Sequence, residues 1–198
     1  MAISQYKTLI LIITVALALL IASPSIQQLL VYPQTDNFTE FWMFGPKHDA
    51  KYPANMTSDQ TYRIYLDVTN HLGSATYYNV EMKLRNQTQP GPDSFNHTSS
   101  SLPALSSIAM VAANNQTAEK PLDISFKYHA VNGTTSKLIM DNVTVNGFTL
   151  DASATTIEWD KTKGGFYGNL VFELYIYNGT INAFQYHERY LSLWVKMN

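Results

Sequence analysis

The chain has no cysteine, and this absence removes several classes of protein at once. Without cysteine there is no disulfide scaffold, no thiol nucleophile and no thiolate site for a metal or an iron–sulfur cluster. The absence does not place the protein inside the cell, because a domain of about 165 residues can bury a sufficient core without disulfides.

Charge is also scarce. Charged residues make up only 14% of the 198 residues, and 13 Lys and Arg against 15 Asp and Glu give a net charge of -2. Nucleic acids require a basic face and anionic lipid surfaces attract polybasic stretches, so the composition argues against both partners. Asn, Thr, Ser and 13 Tyr are abundant, whereas strong helix formers are scarce beyond the N-terminal segment. This composition is typical of an extracellular β domain.

Motifs for catalysis and metal binding are missing as well. None of the five histidines lies at ligand spacing from another, and the chain has no G-x-S-x-G elbow or P-loop. We interpret His187-Glu188-Arg189 as a solvated turn before the last strand. We therefore predict no catalytic residue, no cofactor site and no metal site, and we predict that the protein is not an enzyme.

Two kinds of site stay open at this level. A hydrolase with paired carboxylates remains an alternative, because acidic pairs meet only in the fold. Four aspartates near predicted turns could bind calcium, although they lack the D-x-D-x-D-G spacing. They are Asp93, Asp141, Asp151 and Asp160.

The N-terminal segment carries the longest apolar run. Thr8 to Ala22 has no charged residue, Lys7 is the only charge before it and Asp36 is the next after it. As a helix it spans about 22 Å, less than the roughly 30 Å of a bilayer's hydrocarbon core. One interpretation is a secretory signal removed near Ser25. We favour the other, a transmembrane anchor over residues 1–32 kinked at Pro24, with residues 33–198 as an extracellular domain.

Eight sites match the acceptor pattern N-x-T for N-glycosylation, whereas chance predicts roughly two or three in a chain of this composition. An excess of this size indicates exposure to a glycosylation machinery. The predicted sites are Asn37, Asn55, Asn86, Asn96, Asn115, Asn132, Asn142 and Asn178.

Strict alternation of apolar and polar residues predicts half-buried antiparallel strands. Asn132-Gly133, Asn146-Gly147 and Asn178-Gly179 read as tight hairpin turns. Residues 86–101 read as a long exposed excursion, and residues 102–113 as a short helix or a buried strand. The expected fold is all-β, an immunoglobulin-like sandwich of about eight strands. The predicted core contains Ile64, Leu66, Val80, Met82, Phe126, Leu174, Leu191 and Leu193.

An aromatic cluster follows the apolar segment: Phe38, Phe41, Trp42 and Phe44. It is favoured as a buried first strand over a membrane-docking surface.

The stretch from Phe38 to Pro46 (FTEFWMFGP), the later Y-P-A-N-M-T from Tyr52, and Val68-Thr69-Asn70-His71 resemble the archaeal family called domain of unknown function 1616. The closing strand from Tyr190 to Val195 is similar to that family's last strand. Leu72 departs from the family, which usually has Glu there. The resemblance implies an archaeal source, an N-terminal membrane segment and an external β domain, and it implies no reaction or ligand.

Two roles follow from these observations. The favoured one is a non-catalytic, N-glycosylated, single-pass protein of the cell membrane, acting as an S-layer-associated structural or accessory subunit. Its expected partners are membrane lipid around the N-terminal helix, other envelope or membrane proteins and N-linked glycans, with no nucleic acid. The alternative is a secreted filament subunit that assembles by donor-strand addition after signal cleavage.

Overall fold

A computed structural model describes residues 6–7, 9–18, 37–131 and 136–198. The chain divides into two compact units, Met1–Asn37 and Phe38–Asn198. In the first, residues 6–7 and 9–18 are helical. Among the described residues, no helix has both the length and the hydropathy that a membrane crossing requires. The predicted anchor, residues 1–32, lies largely outside the described residues.

The second unit confirms the all-β prediction. Within residues 37–131 and 136–198 the chain forms eleven strands and no helix. The strands are β1 (Phe38–Phe44), β2 (Asn55–Met56), β3 (Thr61–His71), β4 (Thr76–Arg85), β5 (Ser106–Ala112), β6 (Gln116–Ala130), β7 (Lys137–Val145), β8 (Phe148–Asp151), β9 (Thr156–Asp160), β10 (Gly165–Asn178) and β11 (Ala183–Met197). The ambiguous stretch 102–113 therefore contains a strand, β5.

The strands form two antiparallel ladders. The first sheet has the order β1-β3-β6-β7, and the second has the order β5-β4-β10-β11. The short strand β2 adds to β11 in parallel, and β8 adds to β7. Strand β9 pairs with both β7 and β10, so the two ladders are continuous through it.

One hydrophobic core is shared by both sheets. Period-two alternation explains it, because every second residue of β3 and β4 points inward. Seven of the eight predicted core residues are buried, and Leu191 is the exception because it is only half-buried against the core. The aromatic cluster divides in the same way: Phe41 is buried, whereas Trp42 remains 54% exposed on the other face of β1.

Strand β10 departs from the half-buried pattern. Residues 168–174 are all buried, so its middle is covered on both faces. The outer cover comes from residues 86–105, and the prediction of a fully exposed excursion was wrong over part of that segment: Ser100 is buried. A polar sequence can cover a sheet when its hydrogen bonds are satisfied there.

The tight turns were predicted with mixed success. Asn146 and Gly147 connect β7 and β8 with φ values of 49° and 85°, as a type I′ turn requires. The turn after Asn178 is longer, and Asn182 has the positive φ there, so the prediction of a two-residue turn was wrong. The turn predicted at Asn132-Gly133 lies outside the described residues.

Candidate functional site

A hydrogen-bonded polar network lies at the end of the domain where β1 begins, which we call the proximal end. Tyr78 donates its hydroxyl proton to Asn70 Oδ1 at 3.2 Å and lies 3.1 Å from Thr39 Oγ1. His187 Nε2 lies 3.0 Å from the same Thr39 oxygen. A single direction satisfies all four groups, with His187 Nε2 donating to Thr39, Thr39 to Tyr78 and Tyr78 to Asn70. This direction requires a proton on His187 Nε2, which the neutral Nε2–H tautomer supplies.

Asn70 extends the network into the surrounding backbone. Its amide nitrogen donates to the carbonyl oxygens of Ser74 at 2.7 Å and Ala112 at 2.9 Å, and its Oδ1 accepts from the N–H of Leu72 at 3.0 Å. One buried side chain therefore ties the β3–β4 turn to the end of β5. Buried amides of this kind keep their place because each polar atom has a partner.

Burial lowers the pKa of His187 below its usual range, and the nearby charge of Arg189 acts in the same direction. The sequence-based prediction of a solvated turn at His187 was therefore wrong: the residue belongs to β11 and is half-buried. A histidine beside a threonine hydroxyl resembles a base–nucleophile pair. Thr39, however, is only 1% exposed, so a substrate cannot reach its hydroxyl in this conformation. The arrangement fits a role in holding β1, β3, β4 and β11 together.

A cleft of about 370 Å³ lies between β1 and β11. It is lined by residues 38–42 of β1 and 188–190 of β11. In the described part of the chain, β1 pairs only with β3, and β11 pairs on this side only with β2 at Lys196 and Met197. The cleft is therefore bordered by strand edges with free backbone groups.

A second polar cluster is buried beneath residues 86–105 on the outer face of the second sheet. Lys83 Nζ lies 2.7 Å from Glu173 Oε2 and donates to the carbonyl of Ser100 at 2.9 Å. Glu173 Oε1 accepts from the backbone N–H of Ser100 at 2.6 Å, and Tyr175 donates its hydroxyl to Glu173 Oε2 at 3.1 Å. The two charges neutralise each other and clamp the covering segment. Sequence analysis missed this pair because Lys83 and Glu173 lie on the outer face of the sheet, where charged side chains are expected to meet water.

The predicted glycosylation sites lie on several parts of the domain. Asn37, Asn55, Asn96 and Asn115 are exposed, whereas Asn86, Asn142 and Asn178 are half-buried. Asn132 lies outside the described residues. Asn86 is the least available, because its amide nitrogen donates to the Thr156 carbonyl at 2.9 Å and its oxygen accepts from Thr88 and Gln89.

The four aspartates considered for calcium mostly cap their own turns. Asp93 accepts backbone N–H bonds from Phe95 and Asn96, and these bonds lower its pKa. Asp151 and Asp160 accept from the turns that follow them, while Asp141 pairs with His129 at 2.9 Å. Within residues 37–131 and 136–198 no three His, Cys, Asp or Glu side chains come together as a metal site.

Comparison with known proteins identifies one family that this chain matches in sequence. Residues 33–138, just over half of the chain, match the family model described as Domain of unknown function (DUF1616). The match includes Thr39, Asn70, Tyr78 and Lys83, and it ends before Glu173 and His187. No curated protein of similar sequence is found.

Proposed function

The chain belongs to the DUF1616 family, and we propose that it is a non-catalytic, N-glycosylated cell-envelope protein of an archaeon, tethered to the membrane by its N-terminal segment. In this proposal the β domain lies outside the cell and binds a neighbouring surface or membrane protein, as a structural or accessory subunit associated with the S-layer.

The observation that carries the proposal is the number and exposure of the glycan acceptor sites. Four of the seven sites within the described residues, Asn37, Asn55, Asn96 and Asn115, are exposed on the β domain. Sugars there would meet solvent rather than the core. The uncharged run from Thr8 to Ala22 supports export and retention in the membrane.

We also assign the domain to the immunoglobulin-like sandwiches. The neighbours β1-β3-β6 correspond to strands A-B-E of that fold, and β4-β10-β11 correspond to C-F-G. The fourth strand of the first sheet differs from the immunoglobulin fold. Here it is β7, which follows its neighbour β6 in the chain, whereas strand D of the immunoglobulin fold precedes its neighbour E. Such domains commonly present surfaces to other proteins, which fits an accessory subunit, although fold alone does not fix function.

The non-catalytic part of the proposal is supported by the polar groups themselves. The two buried clusters, around Thr39 and around Glu173, have their polar atoms satisfied by one another rather than aimed into a cavity. Groups arranged in this way stabilise a fold.

The tether is tested on protein from its native source. We expect the protein to stay with the membrane fraction through high-salt and carbonate washes, and its N-terminal peptide to include residues before Ser23. Intact mass should also exceed the polypeptide mass of 22.3 kDa by several glycans. A soluble protein with a mature N-terminus near Ile26 would contradict the tether.

The alternative, a filament subunit, is favoured by one observation of its own. The cleft between β1 and β11 is bordered by strand edges, and a donated strand could pair with such an edge. The donor would be residues 26–32 of a second copy after signal cleavage. Recovery of the protein in sheared filaments, with that N-terminus, would select this role.

A further inference from the structure

The outer face of the second sheet carries a row of exposed apolar side chains at the proximal end. Tyr77 pairs with Val111 across β4 and β5, and Tyr177 pairs with Phe184 across β10 and β11. The Tyr77 and Tyr177 ring centroids lie 6.2 Å apart, and those of Tyr77 and Phe184 lie 5.1 Å apart. These four residues are between 37% and 66% exposed. Ile181, in the adjoining β10–β11 turn, is 53% exposed.

The same end of the domain has no formal charge in its turns. Residues 68–80, 94–118 and 174–187, which contain the β3–β4, β5–β6 and β10–β11 turns, include no Asp, Glu, Lys or Arg. The opposite ends of β1 and β10 differ, because Lys47, Asp49 and Lys51 follow β1 and Asp160, Lys161 and Lys163 precede Gly165. The three turns at the proximal end are therefore free of formal charge, and the charges nearest to them, Glu40 and Glu188, lie within strands β1 and β11.

We infer that the proximal end of the domain rests on the lipid surface, with Tyr77, Tyr177, Phe184, Val111 and Ile181 in the membrane interface. This inference rests on the proposed membrane tether. Tyrosine and other aromatic side chains accumulate at that depth, where one part of the ring is apolar and the hydroxyl reaches water. The absence of charge matters equally, because a desolvated charge would oppose insertion.

Chain length identifies lipid as the occupant of this surface. The proposed tether ends at Tyr32, and the five residues between Tyr32 and Phe38 let the start of β1 lie at most about 20 Å from the end of the tether. The end of the domain nearest the membrane is then the one with uncharged turns and exposed aromatic side chains. Because no basic residue takes part, binding depends on apolar burial and not on anionic headgroups.

Docking also distinguishes among the predicted glycosylation sites. Asn37, Asn115 and Asn178 lie at the proximal end, whereas Asn55 and Asn96 lie elsewhere on the domain. A bulky sugar would hold the proximal end away from lipid. We therefore expect lower glycan occupancy at Asn115 and Asn178 than at Asn55 and Asn96 in native protein. Full occupancy of Asn115 and Asn178 would overturn the inference.

The direct test uses the full-length chain in phosphatidylcholine vesicles and the absence of native cysteine. Ile181→Cys places an environment-sensitive fluorophore at the proximal end, and Thr162→Cys places it in the charged turn before β10. Flotation of the vesicles reports the tether separately. With spin-labelled lipid, we expect emission at position 181 to fall by about half and emission at position 162 to change little, in low and high salt alike.

A matched pair of charge substitutions on β5 adds a second readout. Val111 and Ser107 are both exposed on the outer face of this strand, four residues apart. Val111→Glu puts a charge into the interface and should therefore reduce the quenching at position 181 about threefold. Ser107→Glu should leave that quenching unchanged.

Three outcomes of the vesicle experiment would overturn the inference. Protein that floats with equal, weak quenching at both positions keeps its tether but does not dock. A second copy covers the surface if the label at position 181 is shielded from water but not quenched by the lipid, and if it transfers energy to a label on another copy of the protein. Protein that fails to float has no tether, and the proposed function fails with the docking.

Discussion

Lys83 and Glu173 form an ion pair on the outer face of the second sheet, with 2.7 Å between Nζ and Oε2, and both side chains are buried. The two residues are 90 positions apart in sequence and belong to neighbouring strands, β4 and β10. Ser100 completes the arrangement by bonding to both partners through its backbone. The pair therefore fixes the segment 86–105 over the sheet.

Removing one partner of this pair should destabilise the domain strongly. Lys83→Met leaves the Glu173 carboxylate buried without its cation, and broken buried pairs cost about 3–5 kcal/mol. The double variant Lys83→Met/Glu173→Gln should recover part of this loss. Urea unfolding of the full-length protein in detergent, followed by tryptophan fluorescence, measures both. Lys137→Met is the control, because its pair with Glu158 is exposed and should matter little. Equal effects at Lys83 and Lys137 would contradict the buried clamp.

Acidification should destabilise the domain through His187. Its folded-state pKa is lowered, so below the ordinary value of about 6.5 the unfolded chain binds a proton that the folded chain rejects. Stability is therefore present above that pH and is lost as the pH falls through it. His187→Gln keeps a neutral N–H donor to Thr39 and should show a smaller loss of unfolding free energy between pH 7.5 and 5. If the variant loses as much unfolding free energy as the wild type, His187 is not the source of the pH dependence.

The core is tested at β11. Leu193 is 6% exposed, and Leu193→Asp would bury an unpaired carboxylate at a cost of several kcal/mol, enough to prevent folding. Leu193→Met conserves volume and should cost less than about 1.5 kcal/mol. Circular dichroism and resistance to proteolysis report the outcome. A folded Leu193→Asp protein would show that this face of β11 does not meet the core.

Backbone strain predicts opposite outcomes at two glycines with equal free space. A Cβ at Gly147 or Gly179 would meet no atom within 4 Å, but only Gly147 has a positive φ, of 85°. Gly147→Ala should therefore destabilise by about 1 kcal/mol, whereas Gly179→Ala should be neutral or stabilise by about 0.5 kcal/mol. Thermal unfolding of both variants checks the difference. If both variants melt alike, the turn at Asn146-Gly147 does not have the left-handed conformation.

Glycan occupancy should follow side-chain availability. Asn96 is exposed, while Asn86 is half-buried and its amide nitrogen bonds the Thr156 carbonyl. We expect peptide mapping of native protein to find sugar at Asn96 and an unmodified Asn86, with at least half of the eight sites occupied in total. Thr98→Ala and Thr88→Ala each remove one acceptor pattern, and only Thr98→Ala should increase electrophoretic mobility. If all eight asparagines are unmodified, the proposal that the protein is N-glycosylated is wrong.

The local part of the fold could be read from the sequence. Alternation along β3 and β4 identified Ile64, Leu66, Val80 and Met82 as core residues, because side chains in a strand point to opposite faces in turn. The turn at Asn146-Gly147 was found from the residues that tolerate positive φ. Leu191 was only half-buried and the turn after Asn178 was longer than predicted, because packing against other strands also sets burial and turn length.

Tertiary structure alone decided which distant polar residues became partners. Thr39 and His187 are 148 positions apart, yet β1 and β11 bring their side chains within 3.0 Å. Likewise, Lys83 and Glu173 look like solvent-facing residues of two alternating strands until residues 86–105 cover them. Sequence determines these features as surely as it determines the strands, but period-two patterns report only which face a residue occupies. What covers that face depends on strand order and loop path, and these follow from the packing of the whole domain.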